Sequence, residues 1–486
     1  MSRDGVTRRG FLSTTGAAAL TIGAFDATSG LWISEAEARP HQVRIPRLDG
    51  ELTFDPNALE EASEDFGYLI SGRPWAVLRP GSHRDVVRMV RFARRHRMKV
   101  AMRGQAHSTY GQAQAEGGVV IDSRTLQTVH TIAADHAWVD TGVVWRDLVA
   151  QTTSVGLAPP TLTDYLGLSI GGVLSVGGVG GTTFTEGFVA DNCEELEVVT
   201  GDGLWVRCSR TRRRDLFEAV LGGLGQYALI LKAKIKLVPQ EPMARIYQLV
   251  YPTLASFLAD QRLVVADERF DFLEGQVVPN PDGGWLYIME AGKWYGSTPP
   301  DDSALIGDLA ALPPATVISD LPFIAWANRV EGLVTFLQAN DLWTSPHPWS
   351  DLFLPDAEIE DFVATTLASL TPAEVGAGVQ LLYPFRRSRT DRSKVQLPQS
   401  EILWLYDILR IPPRDVAFAE SLVMDNRTLF DRATAAGGKR YPISAVPMNQ
   451  GDWIGHYGGE WFSVVRSKAR YDRRNTLTPG QRIFRR

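Results

Sequence analysis

A histidine within a glycine-containing loop is the first residue of this chain that could carry cofactor chemistry. His107 lies in Arg103-Gly-Gln-Ala-His-Ser-Thr-Tyr-Gly-Gln112, directly after a strand-like segment, and a second glycine-rich run covers Ser169 to Gly181. Glycine lets the backbone approach a ligand closely, and main-chain N–H groups in such turns bind anions such as a pyrophosphate. Together the two runs predict a nucleotide-binding site, although either run alone is also consistent with ordinary packing.

Neither glycine run has the spacing of the commonest phosphate-binding loops. The first is not a GxGxxG turn between a strand and a helix, and the second is not a GxxxxGK[ST] loop. The pattern therefore indicates a nucleotide-binding scheme other than the Rossmann or P-loop type.

The segments around the first loop predict an α+β fold with a partly parallel sheet. Trp75 to Pro80, Lys99 to Arg103 and Gly118 to Asp122 have strand character. Between the first two, a helix with one apolar face follows Ser82, and Asp85 is placed for a capping box. Alternation of strands with a helix is typical of parallel pairing.

Antiparallel strands are predicted farther along the chain, and a boundary follows them. Ala228 to Val238 alternates apolar and lysine residues, as a strand with one solvated face does. Beyond the proline-containing segment 239–242, the sequence pattern predicts strands and helices that alternate and are separated by proline-rich turns. We expect residues 39–240 to form a first domain, to which 439–486 return, and 241–438 to form a second domain with an antiparallel sheet.

Composition excludes several classes of function. The 486 residues carry a formal net charge of −6, with 44% hydrophobic and 22% charged residues, so a basic nucleic-acid surface is not expected. The basic run Arg210 to Arg214 is interpreted as a solvated loop, with an anionic partner as the alternative. The eight histidines form no metal-ligand spacing, and no metal site is predicted. Cys193 and Cys208 are expected to be buried thiols, with a single disulfide as the alternative.

The first 38 residues have the pattern of a targeting segment. Arg8 and Arg9 precede Phe11 and Leu12, an apolar run extends to Phe25, and 36–38 read Ala-Glu-Ala. A charged start, an apolar middle and a small-residue end predict a signal peptide of the twin-arginine type. We expect export to the cell envelope, the periplasm or the exterior without stable membrane insertion, and an uncleaved anchor is the alternative.

The two glycine loops, in this order, resemble those of the vanillyl-alcohol-oxidase type of FAD-binding fold, the PCMH type. The resemblance implies a bound FAD, and it implies a covalent bond between the flavin and the histidine of the R-G-x-G-H-S motif, here His107. Ala106 departs from that motif, in which glycine is usual. The second loop has no cysteine for a second attachment, so a single bond is expected, with non-covalent FAD as the alternative.

Within that family the chain resembles cytokinin dehydrogenases over nearly its whole mature length. The matching segments are 163–166 (TDYL), 216–227 (LFEAVLGGLGQY), 347–355 (HPWSDLFLP), 471–472 (YD) and 478–481 (TPGQ). The resemblance implies oxidation of a cytokinin-like secondary amine to an imine, which water then hydrolyses. Departures at Pro442, at 176–177 and at 292–295 leave the exact substrate open.

The resemblance also implies roles for individual residues. Asp164 would be the base that accepts the substrate proton, and Glu290 a second acid reaching the substrate from the other domain. Trp349 would stack on a planar substrate. The alternatives are purely structural roles: a loop cap for Asp164, a solvated strand residue for Glu290 and a core residue for Trp349. The positions that match flavin contacts are Arg103, Gly104, Gln105, Ala106, His107, Ser108, Gln112, Asp164, Ser169, Ser175, Val179, Ile230, Tyr441, Thr478 and Gln481.

Partners and competing functions follow from the same resemblance. A small-molecule substrate and an electron acceptor, oxygen or a quinone, are expected. An alcohol or carbohydrate oxidase of the same fold is the main alternative, and a catalytically silent FAD carrier is another. The carboxylate at Asp164 favours amine oxidation, because the carbohydrate relatives more often use tyrosine or histidine as the base.

Overall fold

The computed structural model of the protein describes residues 22–26, 31–34 and 43–484. Strands are numbered in chain order: β1 Ile22–Asp26, β2 Leu31–Ser34, β3 Val43–Arg44, β4 Glu51–Thr53, β5 Ala76–Arg79, β6 Val100–Arg103, β7 Val119–Asp122, β8 Val129–Ile132, β9 His136–Asp140, β10 Leu157–Ala158, β11 Cys193–Thr200, β12 Trp205–Ser209, β13 Ala228–Lys236, β14 Val238–Pro239, β15 Met243–Tyr251, β16 Phe272–Pro279, β17 Trp285–Tyr295, β18 Val317–Pro322, β19 Ser350–Pro355, β20 Val379–Arg386, β21 Ile402–Leu409 and β22 Lys439–Arg440. Helices are α1 Pro56–Ser63, α2 His83–His96, α3 Trp145–Thr153, α4 Ile170–Val176, α5 Thr183–Glu186, α6 Arg214–Val220, α7 Leu254–Asp267, α8 Asp302–Ile306, α9 Phe323–Ala327, α10 Glu331–Ala339, α11 Ile359–Ser369, α12 Pro372–Val375, α13 Val416–Ala435, α14 Gln450–Tyr457 and α15 Trp461–Tyr471.

The first glycine loop leaves a four-stranded sheet at the end of β6 and returns to it at β7. The order of this sheet is β4-β5-β7-β6, and β7 pairs in parallel with both β5 and β6. Helix α2 connects β5 to β6 and buries Val86, Val90 and Ala93. The mixed α+β class and the partly parallel sheet predicted from the sequence are therefore confirmed.

The second sheet has the order β12-β11-β13-β9-β8, and all of its pairs are antiparallel. In β13, Leu231, Ala233 and Ile235 are buried, as the alternation predicted. This sheet supports α4, which begins the second glycine-rich run directly after Ser169.

The third large sheet has eight strands in the order β18-β15-β17-β16-β20-β21-β19-β22. Its neighbouring strands all pair in antiparallel fashion, which confirms the antiparallel sheet expected in the second half of the chain. One face is covered by helices, since an added Cβ at Gly275 would lie 2.6 Å from Phe257 of α7. The neighbouring residue Glu274 points to the opposite face, because side chains alternate along a strand.

The chain end returns to the first half of the molecule. Strand β22 pairs with β19, and α14 and α15 follow. Leu477 then bridges to Val100 of β6, and Lys468 Nζ donates to the main-chain oxygen of Gln226 at 2.9 Å. The C-terminal segment thus lies beside the loops that the sequence predicts to bind the cofactor.

Two details differ from the sequence-based expectation. Ser82 makes no side-chain cap, and Asp85 accepts hydrogen bonds from the main-chain N–H groups of Asp49, Gly50 and Gly81, so the capping box is wrong. Asp85 is turned toward the preceding turn because three N–H groups converge there. Most of the predicted signal peptide lies outside the described residues, but Phe25 of β1 is buried beside Phe92.

Both cysteines are buried, as the sequence predicts. Cys193 and Cys208 are buried free thiols, and burial raises the pKa of both. Within the described residues, no helix combines the length and apolar character needed to cross a membrane.

Candidate active site

The loop that carries His107 is held by the segment immediately after α1. The Phe66 N–H donates to the Ala106 carbonyl at 2.8 Å, and the Gly67 N–H donates to the Ser108 carbonyl at 3.2 Å. These two bonds bracket His107, so the segment fixes the backbone on both sides of the histidine.

The Asp65 carboxylate adds a second set of bonds to the same loop. It accepts from Ser108 Oγ at 3.0 Å, from the Gly111 N–H at 2.7 Å and from the Gly67 N–H at 3.1 Å. Asp65 is 4% exposed, and burial raises its pKa to about 7 although these donors act in the opposite direction. Asp65 cannot be selected from the sequence, because the residue lies some forty positions from the loop that it holds.

The His107 ring lies in an aromatic cluster. Phe66 stacks on His107 with ring centroids 4.0 Å apart and on His347 at 3.9 Å. The rings of Tyr165 and Trp349 lie 5.2 and 5.5 Å from His107. Burial, together with the charge of a protonated His347, lowers the pKa of His107 to about 3. The imidazole is therefore neutral at pH 7, and one ring nitrogen keeps a free electron pair for bonding.

Ala106 has a backbone conformation that explains the usual glycine at this position. Its φ is +55°, in the left-handed region where a Cβ approaches the following carbonyl oxygen. The departure from the motif therefore adds local strain without removing any side chain from the loop.

The first residues of the two glycine-rich runs lie in contact with each other. A Cβ built on Gly104 would lie 2.0 Å from Ser169 Oγ, so only glycine allows this approach. In the second run, Gly177 and Gly178 have φ of +112° and +79°, and the Gly178 N–H donates to Tyr441 Oη at 3.2 Å. Three predicted cofactor contacts, from three separate parts of the sequence, thus come together.

Other predicted cofactor contacts have partners inside the protein. Arg103 donates to the carbonyls of Glu61 and Glu64, and Gln112 donates to the Ser444 carbonyl. The remaining positions are Ser175, whose Oγ donates to the Gly171 carbonyl, the half-buried Gln105, the buried Val179 and Ile230, and Thr478, whose Oγ1 donates to the Gly225 carbonyl.

Buried polar atoms without partners show that this region suits a polar cofactor. Gln481 Oε1 and Arg440 Nε are buried without a hydrogen-bond partner. Both residues line a small cavity together with Tyr110 and Gln112. A nucleotide offers both donors and acceptors, so the residues present fit the FAD that the loops predict.

Asp164 belongs to a buried cluster of charges. Arg329 Nη2 lies 3.0 Å from Asp164 Oδ1 and 3.0 Å from Glu274 Oε1, and Arg329 Nε lies 3.5 Å from Glu290 Oε1. The guanidinium also lies 4.7 Å from the ring centroids of Phe272 and Trp326. The structure thus brings Asp164 and Glu290 together through an arginine that the sequence analysis did not select.

Protonation differs among these groups. Burial, and then the charge of Asp164, raise the pKa of Glu274 well above its usual value, and the two carboxyl groups are hydrogen-bonded. Burial alone would lower the pKa of Arg329, but the neighbouring carboxylates raise it. Burial thus favours the protonated form of Glu274, which can donate to the Asp164 carboxyl group, and the neighbouring carboxylates favour the charged form of Arg329.

A cavity opens beside this cluster. It is small, and its lining includes Thr163, Asp164, Phe272, Trp326 and Arg329. Glu274 and Arg329 could not be selected from the sequence, since they lie 110 and 165 positions from Asp164 and share no motif with it. Only the pairing of β16 and the position of α9 make them neighbours.

Replacement of Ala106 by glycine should relieve the strain in the His107 loop. We expect Ala106→Gly to raise the free energy of unfolding by about 0.5 to 1 kcal/mol, because the left-handed strain exceeds the added chain entropy. Urea unfolding measures the change. Ala101→Gly, in the buried strand β6, is the control and should destabilise. A destabilised Ala106→Gly variant would contradict the strain argument.

Removal of the Asp65 carboxylate should weaken the same loop. Asp65→Ala removes the acceptor of Ser108 Oγ and of the Gly111 N–H, and one of the two acceptors of the Gly67 N–H, so we expect a loss of about 3 kcal/mol in the free energy of unfolding. Asp415→Ala removes an exposed helix cap and should cost about 1 kcal/mol. Equal losses in the two variants would refute a special role for Asp65 in holding the loop.

Comparison with known proteins finds family models that match two long segments of this chain. Residues 74–209 match the model of an FAD binding domain, and residues 278–484 match that of cytokinin dehydrogenase 1, FAD and cytokinin binding. The chain is 37% identical to an uncharacterized oxidoreductase of the fasciation locus of Rhodococcoides fascians, over 90% of this chain and 99% of that protein. It is 34% identical to cytokinin dehydrogenase 5 of Oryza sativa subsp. japonica, over 90% of this chain and 91% of the relative.

A solved structure supports the fold. The crystal structure of 6-hydroxy-D-nicotine oxidase from Arthrobacter nicotinovorans superposes with a TM-score of 0.68 at 19% identity, covering 88% of this chain and 96% of that one. The two-domain fold of the vanillyl-alcohol-oxidase type is thereby confirmed. From its sequence relatives and its FAD-binding loops, the chain belongs to the cytokinin dehydrogenase family of FAD-dependent oxidoreductases.

Proposed function

We propose that this protein oxidises a cytokinin-like secondary amine to an imine, with Asp164 as the base. The observation that carries the proposal is the environment of Asp164, a carboxylate on a cavity wall that faces a guanidinium and a protonated carboxyl group. Bound FAD supplies the acceptor for the hydride that leaves the carbon next to the nitrogen. Water then hydrolyses the imine.

The neighbours of Asp164 suit it to accept a proton. Arg329 and Glu274 each direct a hydrogen bond at the carboxylate, so its orientation is fixed before the substrate arrives. A positioned carboxylate can accept the substrate N–H proton as the adjacent C–H bond breaks. Glu290, opposite Glu274 on the next strand, would contact the substrate from the sheet.

The aromatic cluster beside His107 supports a planar substrate. Trp349 and Tyr165 both approach the His107 ring, and Tyr165 directly follows Asp164 in the chain. A purine that stacks on Trp349 would therefore lie between the predicted flavin attachment and the base. Stacking of offset aromatic rings contributes about 1 kcal/mol beyond area burial.

His107 would hold the flavin through one covalent bond. Its neutral ring has a free electron pair, and the bonds around Ala106 and Ser108 fix its direction. The other positions that match flavin contacts, from Arg103 to Gln481, would line the remainder of the cofactor. Thr478 and Gln481 would do so from the C-terminal segment.

Further parts of the proposal concern the chain as a whole. Residues 39–240 with 439–486 would form the FAD domain, and 241–438 the substrate domain. Residues 1–38 would direct export through the twin-arginine pathway, which accepts folded proteins and so allows the cofactor to be loaded first. Oxygen or a quinone would reoxidise the flavin.

The role of Asp164 can be tested together with that of Glu274. We expect Asp164→Asn to lower the rate of flavin reduction by isopentenyladenine about 10² to 10⁴-fold, since the base is lost. Glu274→Gln keeps a donor to Asp164 and should stay within about tenfold of the unchanged protein, whereas Glu274→Ala should lose about 10 to 100-fold. Anaerobic stopped-flow absorbance measures these rates.

A surface variant and a second substrate class complete that experiment. Asp147→Asn removes an exposed carboxylate and should leave the rate unchanged. Rapid flavin bleaching by sugars, with none by isopentenyladenine, would replace the amine proposal with the carbohydrate alternative. No bleaching by any substrate would favour a silent FAD carrier.

The covalent bond is tested independently of turnover. Acid-precipitated protein should stay yellow, and His107→Ala should release the flavin into the supernatant. His136→Ala, at a partly exposed histidine paired with Asp135, is the matched control and should keep the colour. Free flavin in the supernatant of the unchanged protein would exclude the bond.

A further inference from the structure

The eight-stranded sheet carries two pairs of directly opposed acidic residues on one face. Glu274 of β16 lies opposite Glu290 of β17, and Asp407 of β21 lies opposite Asp351 of β19. The two pairs lie on the same face of the sheet. Asp407 is in register with Leu381 of β20, and Leu381 is in register with Gln276 of β16. Gln276 lies two residues beyond Glu274, so the side chains of Glu274 and Asp407 point to the same face. This is the face that Asp164 and Arg329 contact.

The two pairs differ in how their charge is balanced. Arg329 contacts both members of the Glu274 and Glu290 pair. No cationic side chain of the described residues lies within ion-pair distance of Asp351 or Asp407. Burial raises the pKa of Asp351 to about 7, although Ser444 and the more distant charge of Arg440 act in the opposite direction. Arg440 is in register with Leu352, whose side chain points to the other face.

Both aspartates are buried with unused acceptor atoms. Asp351 is 0% exposed and Asp407 is 5% exposed. Among the described residues, Asp351 Oδ1, Asp351 Oδ2 and Asp407 Oδ1 have no partner with hydrogen-bond geometry. The nearby Ser444 Oγ bonds the main-chain N–H and carbonyl of Asp351. Unpaired buried acceptors cost about 1 to 3 kcal/mol each, which calls for a partner that the chain itself does not provide.

We propose that Asp351 and Asp407 form a subsite for a primary ammonium group on the tail of the amine substrate. An ammonium group has three donors and no acceptor, which matches three free acceptor oxygens. Its positive charge would balance the negative charge of this pair, as Arg329 balances that of Glu274 and Glu290. The isoalloxazine ring of oxidised flavin has one N–H donor, so the ring alone cannot satisfy all three oxygens.

The subsite lies on the same sheet face as Glu274 and Glu290, which share Arg329 with the proposed base. The charge of Asp164 contributes to raising the pKa of Asp407, after burial and the charge of Asp351. Trp349, two residues before Asp351 on the same side of the chain, approaches His107. A substrate could therefore present its secondary amine to Asp164 and an ammonium-bearing tail to the aspartates, a deepening that rests on the proposed function.

The test uses matched ligands and the oxidised holoenzyme under anaerobic conditions. N6-(4-aminobutyl)adenine and N6-pentyladenine differ only in an ammonium group against a methyl group at the end of the tail. We expect the ammonium compound to bind at least about tenfold more tightly than the alkyl compound. Binding is measured by the change in flavin absorbance. Asp351→Asn and Asp407→Asn should abolish the preference while retaining bound flavin. Asp320→Asn, at the far edge strand β18, should keep it.

The outcomes separate the subsite from the proposed reaction. A second pair, N-methylbutane-1,4-diamine and N-methylpentan-1-amine, tests simple amines in the same way. Preference for the ammonium tail without flavin reduction would support the subsite and refute the reaction. Flavin reduction without preference, or tighter binding of the alkyl tail, would overturn the subsite alone. Loss of flavin from both aspartate variants would assign the pair to the cofactor, and failure of every compound to bind would overturn both proposals.

Discussion

Burial of carboxyl groups on one sheet face is the constraint that orders this site. Each such group needs a proton, a cation or several donors once water is excluded. Around Asp164 the need is met by Arg329 and by the proton of Glu274. The same requirement explains why Arg329 stacks on Phe272 and Trp326, since the aromatic faces fix a guanidinium that several carboxylates must share.

A second constraint acts on the His107 loop, and it links the cofactor to the base. The loop has no regular structure, so its conformation depends on the bonds from Asp65 to Gly67. Those bonds place the His107 ring against Phe66, and Tyr165 approaches the ring from the residue next to Asp164. Two loops from distant parts of the chain thus position the proposed attachment point and the proposed base together.

The sequence predicts local features of this fold well and long-range ones poorly. Strand β13 and helix α2 follow from apolar periodicity, because burial on one face imposes it. His107 and Asp164 were selected because they lie in recognisable motifs. Glu274, Arg329 and Asp65 were missed, since their importance arises from sheet register and loop packing. The capping box at Ser82 failed for the same reason, because Asp85 serves a turn more than thirty residues away.

Family membership defines the cofactor chemistry more narrowly than the substrate. In the proposed function, the glycine loops and the C-terminal segment would surround the flavin, and these segments carry motifs on which the family resemblance rests. The substrate would instead meet the face formed by β16, β17, β19 and β21, where one residue in two points to that face. A change at Asp351 or Asp407 leaves strand pairing intact, because the backbone makes the ladder. The acidic character of this face can therefore change which amine is bound while the flavin site stays the same.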